Sequence, residues 1–233
     1  MKELLQKIIS YLPLYLTEFL ALVTGPKRFI RRKKLHEPES LNKALLFLGL
    51  SIVLIFIISL PMHPPGKDLW TYLGVYAALF LLAIVLNAAC IRLAWFLVGG
   101  KAPLMPSVII YAYYAGVLGF IYIFFFIISD GIIKVHDPDL YNQLIEIAEM
   151  DRTKAENTLT DIDVYSNKVV MVAFLVRWAA YIVTAVWFFI GWGAFRELNN
   201  LSKLRSFFAF LIVSVMYFPL EWLGEILSAM LLG

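Results

Sequence analysis

The sequence predicts an all-α fold: a polytopic membrane bundle of five transmembrane helices, with an N-terminal interfacial amphipathic helix and a helix in the outer loop. Three observations predict it. Of 233 residues, 61% are hydrophobic and 16% charged, whereas soluble domains run near ~50% and ~25%. Five stretches, 44–61, 69–98, 107–130, 168–195 and 205–232, reach the ~20 residues a helix needs to cross ~30 Å of hydrocarbon. Basic residues also gather on alternate connections. Nine Lys or Arg precede the first stretch, while the 131–167 connection holds eight acids against Lys134, Arg152 and Lys154. The positive-inside rule then places the N-terminus in the cytoplasm, and the acidic connection and C-terminus outside.

Residues 1–43 form the cytoplasmic part and residues 44–233 the transmembrane domain. Within the first part, residues 2–24 have helical amphipathy. Lys2, Glu3, Gln6, Lys7 and Ser10 share one side, and Leu5, Ile8, Ile9, Leu12 and Leu16 the other, with a bend expected at Pro13. Such a helix lies in the membrane interface or packs on the cytoplasmic ends of the bundle. Lys27, Arg28, Arg31, Arg32, Lys33 and Lys34 follow. They read as a topology signal or as a contact for anionic lipid headgroups, at roughly 1 kcal/mol per cation.

Pro61 and Pro64-Pro65-Gly66 punctuate the first hairpin, and Gly99, Gly100, Pro103 and Pro106 the second. In the third stretch, Ala112, Ala115, Gly116 and Gly119 recur at the spacing that lets helices approach closely, with Tyr111 and Tyr114 beside them. Asn87, in the second stretch, is expected to bond a neighbouring helix, and Arg92 to snorkel to the cytoplasmic surface. In the outer connection, Asp137-Pro138 starts a helix expected over 138–157, with Asp as N-cap and Pro at the first helical position.

The polar residues inside the apolar stretches form the candidate site. Ser214, Tyr217, Glu221, Glu225 and Ser228 fall on one face of the last stretch, and Arg177, Tyr181 and Thr184 on one face of the fourth. Ionisable groups in a bilayer each cost at least ~2.5 kcal/mol at mid-depth. Arg177 is therefore expected to pair with Glu221, as a structural staple or as the lining of a polar cavity.

No catalytic, metal-binding or cofactor-binding motif is found. There is no Gly-rich phosphate loop, no HExxH and no GxSxG. His36, His63 and His136 fall on both sides of the membrane, and Cys90 stands alone in an apolar stretch. The Asp161-x-Asp163 run lacks the glycine and terminal glutamate of a calcium loop. Neither a cleaved signal peptide nor a glycosylation sequon is expected.

Three short segments carry a family resemblance. They are Leu22-Val23-Thr24-Gly25-Pro26-Lys27-Arg28-Phe29 after the interfacial helix, Leu41-Asn42-Lys43-Ala44-Leu45-Leu46-Phe47 opening the first span, and Tyr111-Ala112-Tyr113-Tyr114-Ala115-Gly116 heading the third. In these, and in its order of elements, the chain resembles the Yip-domain family, the Ypt/Rab-interacting membrane proteins, and most closely a bacterial-type relative. The resemblance implies five membrane helices, a cytoplasmic N-terminus, no enzyme activity and a role in membrane organisation or partner binding. It departs from the family in its short cytoplasmic region and its large outer loop. Two functions follow as expectations: a non-enzymatic subunit of a plasma-membrane complex, binding a protein partner or a second copy, or a transporter, channel or lipid-handling subunit built on Arg177, Glu221 and Glu225.

Overall fold

The computed structural model describes residues 2–60, 69–148 and 167–232. Within them all regular structure is helical: α1 Lys2–Thr24, α2 Pro26–Arg31, α3 Pro38–Ser59, α4 Leu69–Leu97, α5 Leu104–His136, α6 Pro138–Ala148, α7 Lys168–Asn199 and α8 Lys203–Leu232. Four are long and apolar enough to cross a membrane, over Pro38–Ser59, Ala77–Leu97, Leu104–His136 and Lys168–Asn199. This fits an integral membrane protein. The fifth expected span coincides with α8, whose side chains from residue 220 onward lie outside the described residues. The Pro61–Gly66 turn, the 149–166 part of the outer helix and linker, and Asp161 and Asp163 lie outside them too.

Local chemistry sets the helix ends. Pro38 occupies the first turn of α3, and an extended Pro103 precedes α5. Asp137 breaks from helical geometry after α5 and caps α6, its Oδ1 accepting the Leu140 N–H at 3.1 Å. Asn167 caps α7 through the Val169 N–H and donates to Asp137 Oδ2 at 3.0 Å, tying the two starts together. Asn200, left-handed at φ 51, closes α7 by donating its N–H to the Arg196 and Glu197 carbonyls. Helices α5 and α7 run to 33 and 32 residues, or ~50 Å. They outrun a ~30 Å hydrocarbon core and must tilt or protrude.

Helix α5 is the hub, packed on α1, α3, α4, α6 and α7, while α8 runs along α4 and α2 lies on α7. The main core occupies the half of the bundle that carries the ends of α3, α4, α5 and α7 nearest the basic residues, here the basic end. Phe47, Trp95, Tyr113, Tyr114, Trp192 and Phe195 interlock there. Trp95 stacks on Trp192 at 5.2 Å, and Tyr114 meets Trp187 edge-on at 5.1 Å. At the opposite, acidic end a small cluster of Ile133, Leu140 and Ala173 seats α6.

The close approach expected at the small residues is present. A Cβ on Gly116 would lie 2.6 Å from Ser51 Oγ and 2.8 Å from Phe47, and one on Gly119 would lie 2.6 Å from Ile55. Gly116→Val is accordingly expected to push α3 off α5 and lower stability by about 1–3 kcal/mol. Gly131, on the same helix, has nothing within 4 Å of its missing Cβ, so Gly131→Ala should be neutral or slightly stabilising. Melting of both variants in nanodiscs checks the pair. Equal losses would discredit the packing argument.

Helix α1 narrows the second of the two expectations for it, packing on the bundle. Tyr15 and Leu22 are buried in the bundle core, Tyr15 hydrogen-bonds Ser51 at 3.0 Å, Phe19 meets Phe120 at 5.1 Å, and Trp187 Nε1 donates to the Val23 carbonyl. Counted along their helices, Ser51, Phe120 and Trp187 lie roughly 18–24 Å from the basic ends of α3, α5 and α7. The C-terminal half of α1 thus packs across three helices, farther in than a helix resting on the helix ends would reach. Its outer side, Leu14, Leu16 and Leu20, stays exposed. Polar residues in the first ten positions signalled amphipathy. The apolar residues that follow, on both faces, decide where the helix packs.

Candidate functional site

Among the described residues, charged groups in the bundle collect into three clusters, each of which fastens one element to another. At the basic end, α2 starts at Pro26 and buries Pro26, Phe29 and Ile30. That burial leaves Lys27 and Arg31 to reach the last turn of α7. Both meet Glu197: Lys27 Nζ at 2.7 Å, and Arg31 through a two-pronged contact that includes Nε at 2.6 Å. The hydrogen bond and charge of Glu197 raise the Arg31 pKa above its ordinary value, so this guanidinium stays charged. Gly193 makes room for the reach, since a Cβ there would lie 3.1 Å from Lys27 Cδ.

The second cluster is deeper. Lys33 Nζ lies 2.5 Å from Glu18 Oε1 on α1, 4.4 Å from the Phe29 ring centre and 5.1 Å from that of Tyr113. Its side chain is 19% exposed and that of Glu18 13%. Glu18 Oε2 and the Tyr113 hydroxyl are buried without a hydrogen-bond partner among the described residues. Burial first, and the Glu18 charge second, raise the Tyr11 pKa, which keeps its phenol neutral.

The third cluster contains Arg177. Its Nη2 donates to Asp130 Oδ1 at 2.6 Å and its Nε to Ser129 Oγ at 3.0 Å, with the guanidinium 5.0 Å from the Phe126 ring. The partner expected for Arg177, Glu221, has its side chain outside the described residues, so the Asp130 contact stands beside that expectation. The face was read correctly, because Arg177 and Tyr181 both turn to α5, where Tyr181 meets Tyr122 edge-on at 5.7 Å. The described polar partners of Arg177, Ser129 and Asp130, lie on α5. Helices α7 and α8 do meet near their turn, through Trp192 Nε1 on the Ser206 carbonyl and Phe189 on Phe210. That antiparallel register carries Glu221 to the level of Arg177, but the side chains of Glu221 and Glu225 lie outside the described residues. Tyr217 is 47% exposed on α8.

Other expected roles divide similarly. Asn87 bonds the Ala83 carbonyl of its own helix at 2.8 Å rather than a neighbouring helix, because its amide finds the free lone pair of the preceding turn first. Tyr114 donates to the Gly191 carbonyl at 2.9 Å, fixing α5 to α7, while Tyr111 packs at the edge of the core. Of the six cations proposed for lipid contact, four are held within the chain: Lys27 and Arg31 by Glu197, Lys33 by Glu18, and Lys34 by Glu37 at 2.9 Å. Arg28 and Arg32 are exposed and carry no ion pair or side-chain hydrogen bond among the described residues.

Sequence reading passed over Glu18, Asp130 and Glu197. Glu18 and Glu197 each stand as a lone acid in or at the edge of an apolar or basic run, and that isolation was the available signal. Among the described residues no group of His, Cys, Asp or Glu is placed to hold a metal ion. No family model matches the chain, and neither curated proteins nor solved structures gave a significant match.

Proposed function

We propose that this chain is a five-span plasma-membrane protein of bacterial type, without enzymatic activity, that serves as a partner-binding or membrane-organising subunit. One observation carries the reading: among the described residues, the ion pairs inside or along the bundle each join one helix or connection to another. Arg177 holds α7 to α5, Lys27 and Arg31 hold α2 to α7, and Lys33 holds the α2–α3 connection to α1. A charge committed in this way is poorly placed to carry a substrate. Helix α8, at 30 residues, is long enough for the fifth crossing. The basic-inside distribution then sets the N-terminus in the cytoplasm and α6 outside, in the order that the resemblance to the Yip-domain family implies.

The test uses photo-crosslinking residues at Asn142, Gln143 and Glu146, on the exposed side of α6, in native membranes. A discrete adduct, whether with another protein or a second copy, is expected at one or more of them. Complete absence of adducts, there and at exposed positions of α1 and α2, would count against the proposal. The transport alternative retains one supporting observation, the register that brings Glu221 level with Arg177. Its own test is flux in liposomes, which Glu221→Gln should abolish if that reading is correct and leave unchanged if ours is.

A further inference from the structure

Two aromatic rings and a carboxylate make a corner around the Lys33 ammonium. The rings of Phe29 on α2 and Tyr113 on α5 meet edge-on at 75°, with centroids 5.0 Å apart. Lys33 Nζ lies 4.4 Å and 5.1 Å from their centres, and Glu18 Oε1 on α1 closes the corner at 2.5 Å. Ring faces that attract a cation, beside an acceptor that takes its N–H, are the parts from which proteins build sites for ammonium ligands. The resident ammonium leaves some of them unused. Among the described residues, Glu18 Oε2 and the Tyr113 hydroxyl are buried and unbonded, and Tyr113 as a whole is 1% exposed. Such atoms cost free energy until a partner reaches them.

Lys33 stands in the 32–37 connection between α2 and α3, outside any helix, so withdrawing its side chain unwinds nothing. Helix α2 keeps its own anchors in that event, Lys27 and Arg31 on Glu197. Exchange of the lysine for a free ammonium keeps one positive charge beside Glu18, so no charge is left unpaired there. The incoming ligand has only to outcompete a tethered one, whose effective concentration on a short connection is on the order of millimolar.

We propose that Glu18, Phe29 and Tyr113 form a binding site for a primary alkylammonium ligand, which Lys33 fills from within the chain and vacates when such a ligand arrives. Release of Lys33 then frees the α2–α3 connection from α1. The site requires no protein partner and stands apart from the subunit role proposed above.

The experiment titrates n-propylammonium chloride into the protein in phosphatidylcholine nanodiscs and reads the melting temperature, with sodium chloride at matched ionic strength as the blank. Lys33→Ala empties the corner, and its melting temperature should rise by about 3–6 °C at ten times the dissociation constant. The rise should begin at an amine concentration at least about tenfold higher in the wild type, whose own lysine competes. Tetramethylammonium, which has no N–H for Glu18, should do much less, and Glu18→Gln/Lys33→Ala should not respond. No rise in Lys33→Ala, or an equal rise in Glu18→Gln/Lys33→Ala, would overturn the site. The wild type supplies a second readout that needs no variant. Excess n-propylammonium should speed cleavage of the 32–37 connection by proteinase K, and tetramethylammonium should not. Unchanged cleavage would overturn the displacement of Lys33.

Discussion

Replacing Glu18 with alanine is expected to destabilise the protein by about 2–4 kcal/mol, because it strands a charge in a place that water reaches poorly. Lys33 is 19% exposed and rests against two aromatic rings. These rings attract the ammonium but do not replace a carboxylate. The loss should appear as a lower melting temperature in nanodiscs. It should also appear as faster proteolysis of the 25–37 segment, since the contact holds the α2–α3 connection to α1. Glu18→Ala/Lys33→Met should recover most of the stability, since a methionine of similar length leaves no charge to satisfy. If the double variant were as unstable as Glu18→Ala alone, the ion pair would not be the source of the loss.

Arg177→Ala and Asp130→Ala are each expected to cost about 1–2 kcal/mol, less than a fully buried pair, because the Arg177 side chain is 42% exposed and that of Asp130 22%. The double variant should lose little more than either single one, with a coupling energy near 1 kcal/mol. Glu221→Gln supplies the contrast. Had the charge on α8 been the partner of Arg177, that variant would match Arg177→Ala. With Asp130 as the partner, Glu221→Gln should leave the melting temperature near that of the wild type. Matching losses in Arg177→Ala and Glu221→Gln, with none in Asp130→Ala, would sink the assignment.

How far the candidate site was legible depended on whether its residues could be ranked by local chemistry alone. Arg177 stood out because an ionisable group in an apolar run is costly wherever it lies. Its face was legible too, since Tyr181 follows at one helical turn. Its partner was not, because Asp130 is 47 residues away in the chain and sat at the expected boundary of a span, where an acid excites no suspicion. Depth counted along two helices compares levels but does not say which helices touch. The six cations of 27–34 show the same limit. Their number and setting were plain, yet the division into Arg28 and Arg32 outside and four paired neighbours required the positions of Glu18, Glu37 and Glu197.

By itself the sequence determined that the chain is helical and apolar enough to enter a membrane, where α4, α6 and α7 begin, and that Asp137 would cap α6. These follow from composition, from periodicity and from residues within one turn of each other, and such interactions are encoded where they act. Only the tertiary structure decided that α5 is the hub, that α1 packs across three helices inward of their ends, and that Arg177 meets Asp130. Helices in lipid lack the hydrophobic drive that would mark one face as interior, since neighbours and lipid tails are equally apolar. Which faces meet is settled instead by close shape fit, as at Gly116 on Phe47 and Tyr114 on Gly191, and that fit exists only once the helices are together.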